Sequence, residues 1–139
     1  MWRFIEEFIE RKLCNLSYLS SKDNGATVSD WNGVEILSKE SERPQITEAL
    51  DWLTSCSPDL KQVICQNLKF IHCSKRTDSS VLPAIGACII NTNEWSNLSV
   101  SQLGSRFANV GRYINQCNAC GRYKIFRFTD FPIFKKETS

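Results

Sequence analysis

One histidine, His72, and one methionine stand in the whole chain. A single imidazole excludes catalytic schemes that need two histidines, and it excludes His-rich metal sites. No glycine-rich phosphate loop, Walker pattern, His-Glu-x-x-His or Gly-x-Ser-x-Gly occurs, so the common nucleotide, zinc-protease and hydrolase signatures are missing. Low-complexity tracts and solenoid-length repeats are also missing, which leaves out propellers and repeat arrays. No apolar run reaches the ~18 residues that a membrane-spanning helix needs. The apolar pattern at the start is broken by Arg3, Glu6, Glu7, Glu10, Arg11 and Lys12, so it cannot serve as a signal peptide. An intracellular protein, cytoplasmic or nuclear, is expected.

Cysteine, by contrast, is plentiful. The seven are Cys14, Cys56, Cys65, Cys73, Cys88, Cys117 and Cys120. An odd number rules out a complete disulfide framework within one chain, and without a secretion signal reduced thiols are the expectation. Most are read as small buried hydrophobes.

At 139 residues, 42% hydrophobic and 23% charged, the chain has the size and composition of one globular domain with its own core. The net charge of +2 is unevenly spread. From residue 95 onward seven basic side chains face two acids, a net of +5; the preceding part carries −3. Such a basic C-terminal third suits an anionic partner.

Residues 2–19 have the periodicity of an amphipathic helix. Ile5, Ile9, Leu13 and Leu16 fall on one stripe, widened by Trp2, Phe8 and Leu19. That stripe is expected to pack on the core, with a partner groove or a homodimer as the alternative. Asn32-Gly33 between two β-prone runs predicts a hairpin. Pro44 and Ser57-Pro58-Asp59 mark the starts of two further helices, the second running to about Gln66. Residues 68–73 are β-like or extend that helix, and 81–90 form a buried strand or a short helix. Ser99 and Gln102 make a capping box for a helix with Val100, Leu103, Phe107, Val110 and Ile114 as its stripe. Arg106, Asn109, Arg112 and Tyr113 fall off that stripe, toward solvent. Residues 122–128 read as a strand, and Ile133-Phe134 as a last short run.

The expected fold is α+β: a single compact domain with an amphipathic N-terminal helix and a small antiparallel sheet. A helical and hairpin part (1–75) is followed by a C-terminal part (80–136). In the latter, an apolar Leu82–Ile90 segment precedes Leu98-Ser-Val-Ser-Gln-Leu-Gly104, then Gly121-x-x-Lys-Ile125 and Phe131-Pro-Ile-Phe134. This stretch resembles a winged-helix domain of the LOTUS, or OST-HTH, type. The resemblance implies RNA or protein binding without catalysis. Cys117-x-x-Cys120 and the strand-like 122–128 depart from the family's pattern.

Three constellations could carry chemistry. Arg106, Arg112, Arg122, Lys124 and Arg127 can neutralise phosphates, and Tyr113 and Tyr123 can stack on unpaired bases. Cys117-Asn-Ala-Cys120-Gly121 is a single metal knuckle, a candidate for structural zinc, but no second Cys-x-x-Cys supplies the other two ligands. Otherwise no cofactor is expected. His72 and Cys73 are adjacent, and on a strand adjacent side chains point to opposite faces, so His72 would need a different cysteine. The sequence favours a non-enzymatic module that binds RNA or single-stranded DNA. The alternative is a protein-interaction or inhibitor domain working through the N-terminal helix.

Overall fold

The computed structural model describes residues 2–75 and 78–127, without the side chains of residues 2 and 3. The expected final run at Ile133-Phe134, with Lys135 and Lys136, lies outside the described residues.

The chain begins with helix α1 (Trp2–Asp23), then the hairpin β1 (Thr27–Trp31) and β2 (Val34–Ser38). Asn32 and Gly33 take φ of 49° and 89°, the left-handed pair that a two-residue hairpin turn requires. Two helices follow, α2 (Arg43–Cys56) and α3 (Pro58–Asn67). Ser57 caps α3 by accepting from the Leu60 N–H, and a proline sits in the first turn of each helix, where no N–H is needed.

Strand β3 (Phe70–Ser74) leads to β4 (Ser80–Leu82) and β5 (Ala87–Asn91), the one-turn helix α4 (Thr92–Trp95), α5 (Val100–Cys120) and β6 (Phe126–Arg127). The expected capping box of α5 is present, and Gly121 ends the helix in the left-handed conformation.

The strands form one six-stranded sheet in the order β1-β2-β3-β5-β4-β6. The expectation of a small antiparallel sheet is corrected here. The sheet is mixed, with β2, β3 and β5 parallel at its centre and antiparallel pairs outside them. Helices α2 and α3 return the chain to the end of the sheet where β2 began, so β3 runs parallel to β2, and the antiparallel β4 does the same between β3 and β5. Because β3 pairs with β5, the two expected parts share one sheet. The 80–127 stretch contributes two strands, a one-turn helix, one long helix and an edge strand. Residues 87–90, within the segment that resembles the first winged-helix segment, pair as a strand with β3 and β4.

Strand alternation divides the sheet into two faces. Val34, Ile36, Ile71, Cys73, Cys88 and Ile90 pack against α2, α3 and α5, with Leu50, Ile64, Leu103, Phe107 and Ile114 closing the main core. α5 crosses α2 closely because Gly104 has no side chain; a Cβ there would meet the Trp52 ring at 2.7 Å. On the opposite face, Phe70, His72, Ala87 and Ile89 lie under α1. The architecture is three layers: helices, sheet, and one helix.

The tight turn between β4 and β5 depends on Gly86, at φ 70°, where a Cβ would stand 2.4 Å from the Asn67 carbonyl oxygen. Backbone cannot yield as a side-chain tip can. Gly86→Ala is expected to cost on the order of 3 kcal/mol, read as a lowered denaturant midpoint at unchanged slope.

Candidate functional site

The described basic and aromatic residues after Trp95 do not all lie on the surface. Arg106 is buried, 6% exposed, with its guanidinium 5.8 Å from the Trp95 ring centre. This corrects its expected place on the solvent face: α5 is covered on more than its apolar stripe. Tyr123 is also buried at 6%, and its hydroxyl donates to Asn118 Oδ1 at 2.7 Å. Tyr113 is half-buried; its hydroxyl donates to the Lys124 carbonyl and its ring stands edge-on to Phe126 at 4.8 Å. Neither tyrosine is presented for stacking, because both tie residues 123–126 back to α5. Arg112, Arg122, Lys124 and Arg127 are exposed, the last 3.8 Å from Asp78.

At the end of α5, Cys117 is buried and Cys120 exposed, with the Cys120 thiol 3.8 Å from the Cys117 carbonyl. Burial raises the Cys117 pKa, which opposes a metal-binding thiolate. Among the described residues no group of three or more His, Cys, Asp or Glu is placed to hold a metal ion.

α1 departs furthest from expectation. Its apolar stripe was expected to pack on the core, but Phe4, Ile5, Phe8, Ile9, Leu13, Leu16 and Leu19 are 41% to 77% exposed. The helix instead lays down its other side. Glu10, Cys14, Ser17 and Ser21, spaced four, three and four apart, are all buried. This seam bonds to the sheet and the turn beside it. Glu10 Oε1 accepts from the Ile85 N–H at 3.2 Å, and Ser21 donates to the Cys73 carbonyl at 2.6 Å.

Between those two contacts, Cys14 Sγ lies 3.5 Å from His72 Nδ1. His72 Nε2 lies 3.3 Å from Glu35 Oε2. The register sets this row. Leu37 aligns with His72, so Glu35, two residues back on β2, shares its face. A carboxylate only accepts, so Glu35 fixes the proton on Nε2 and turns the Nδ1 lone pair toward the thiol. Burial lowers the His72 pKa, and the Glu35 hydrogen bond partly opposes it. Burial, aided by the Glu35 charge, pushes the Cys14 thiol up to about 11. The resting pair is therefore a neutral thiol and a neutral imidazole. A cavity of about 310 Å³ opens onto this row, with Arg11, Asn15, Tyr18 and Phe70 on its walls.

Sequence reasoning foresaw that His72 would need a cysteine other than Cys73, and Cys73 does face the α2 side. It did not find Cys14. The four-three-four spacing of Glu10, Cys14, Ser17 and Ser21 was readable, but its partner stands 58 residues away.

The chain was compared with protein-family models, curated proteins and solved structures, and none matches. Among the described residues, no helix is long and apolar enough to cross a membrane.

Burial pushes the Glu10 carboxyl up from 4.5 to about 7, and its Oε2 has no hydrogen-bond partner. A carboxyl raised in the folded state favours folding fully below pH 4.5 and loses that contribution as pH climbs through 7. The loss comes to about 3 kcal/mol. Glu10→Gln keeps the acceptor for Ile85 and cannot ionise. It is expected to raise the urea midpoint at pH 8 and leave it unchanged at pH 4; an equal change at both would contradict the assignment.

Proposed function

We propose that this chain is a protein-interaction module whose contact surface is the outward face of α1, and that its partner is a second copy of the chain. The observation that carries this is the inverted packing of α1: the polar seam is buried and the apolar stripe is exposed. At their exposures the seven apolar side chains present roughly 700 Å². That exceeds the ~300–600 Å² of the largest patch on an ordinary monomer and approaches the ~800 Å² that each partner gives a standard interface. Leaving such a face in water is costly, at about 25 cal/mol per Å².

The face is suited to itself. Ile5, Ile9, Leu13, Leu16 and Leu19 recur at the three- and four-residue steps by which helices pack along one another. A two-fold contact uses the same patch twice, so no other surface is needed.

The nucleic-acid reading keeps four exposed cations, Arg112, Arg122, Lys124 and Arg127, but not its two stacking rings. It falls second for that reason.

Sedimentation of the purified chain tests the proposal. The wild type is expected to be a dimer at micromolar concentration and to remain one in high salt, since the contact is apolar. Phe8→Glu with Leu16→Glu, both at exposed positions, is expected to give a monomer with unchanged circular dichroism. A wild type that is monomeric throughout this range would sink the proposal. So would a dimer that survives the double substitution.

A further inference from the structure

We propose that Cys14, His72 and Glu35 form a nucleophilic site that takes the acyl group of small esters or thioesters, an activity separate from the outward face of α1. It runs against the expectation, drawn from the sequence, that no catalytic set exists. The argument is one of geometry. Both imidazole nitrogens are committed, one to a thiol at 3.5 Å and one to a carboxylate at 3.3 Å. This is the nucleophile, base and orienting acid in their working order. A cavity reaches all three, and its volume of about 310 Å³ fits a short acyl chain against Phe70 and Ile85.

The neutral resting pair dictates the mode of attack. Cys14 is not a standing thiolate; His72 must remove its proton as the bond forms. The Sγ–H proton passes to Nδ1 while Sγ bonds to the carbonyl carbon. The carbonyl–oxygen or carbonyl–sulfur bond of the leaving group then breaks, and the leaving atom takes the proton from His72. Water adds to the resulting S-acyl carbonyl, giving a proton to the same nitrogen, and that proton returns to Cys14 as the acid departs. The net reaction is hydrolysis, and no oxidant or reductant enters. Glu35 takes no part in these proton transfers and acts as a positioning residue, holding the ring and its transient positive charge.

Cys14 sits within a helix, so the backbone N–H groups around it are spent on the helix itself. Donors for the developing oxyanion must come from side chains. Arg11, one turn earlier, and Asn15, the next residue, both line the cavity. The charged and titratable groups around His72 are Glu35 from β2 and Arg11, Cys14 and Tyr18 from α1; Glu10 lies further along the same helix and acts on Cys14 through space.

Four-nitrophenyl acetate is the probe, used on the full chain. Peptide mass spectrometry locates the acetyl group, with exposed Cys56 and Cys120 as internal controls. Acetylation of Cys14 at pH 7 is expected to outpace both controls by about tenfold or more. Its rate should level off above the ionisation of His72, whereas an unassisted thiol keeps gaining as pH rises toward 11. Glu35→Gln, at a partly exposed carboxyl, is expected to slow Cys14 labelling about tenfold. It should also move the lower limb of the pH profile downward, because the Glu35 hydrogen bond raises the His72 pKa. His72→Gln is expected to slow labelling about 100-fold. The proposal is overturned if Cys14 stays unlabelled while Cys56 and Cys120 react. It is equally overturned if Glu35→Gln leaves the Cys14 rate and pH profile unchanged. The wild-type labelling pattern decides the matter even should His72→Gln fail to fold.

Discussion

His72 occupies the middle of one face of the sheet, and whatever covers that face has to answer a buried imidazole. Leaving such a group without partners costs several kcal/mol. Helix α1 answers it with Cys14, from a buried seam that also holds Glu10, Ser17 and Ser21, and Glu35 completes the row from β2. The orientation of α1 about its own axis follows from this. A helix has one surface to give, and with the polar seam turned inward the apolar stripe must turn outward. The exposed Phe4, Phe8 and Leu16 and the Cys14–His72–Glu35 row are two results of one rotation.

The opposite face of the sheet obeys the ordinary rule. There Ile36, Ile71, Cys88 and Ile90 meet the apolar sides of α2, α3 and α5. Stability resides chiefly in that layer, where Phe107, Leu50 and Ile64 have no exposure at all. The α1 layer has a smaller apolar cluster, a carboxyl with one unpartnered oxygen, and an open cavity. Strained and polar contacts of this kind concentrate where a fold gives up stability for something else. Among the exposed cations after α5, Tyr113 and Tyr123 serve to tie the chain back onto the helix.

Local features were legible in the sequence because their physics is local. Asn32-Gly33 fixed a hairpin turn, and Ser57-Pro58 and Ser99-Gln102 fixed two helix starts. Residues 81–90, left open between strand and helix, became two strands around Gly86, since a short apolar run fits either until its neighbours are known. Periodicity found the stripe of α1 correctly as a stripe. Which side of a helix faces inward is a different question, and amphipathicity answers it only where the surface beneath is apolar. Arg106 and Tyr123 were misjudged on the same ground: their burial depends on Trp95 and Asn118, not on their own spacing.

Sequence alone determined the α+β class, the main helices, the turns between elements and the lack of any familiar catalytic or phosphate-binding motif, because each follows from residues within a few positions of one another. Tertiary structure decided the mixed order of the sheet, the inverted seating of α1 and the meeting of Cys14 with His72 and Glu35. Those depend on strand register and on contacts between residues as many as 75 positions apart. Neither periodicity nor motif spacing carries that information.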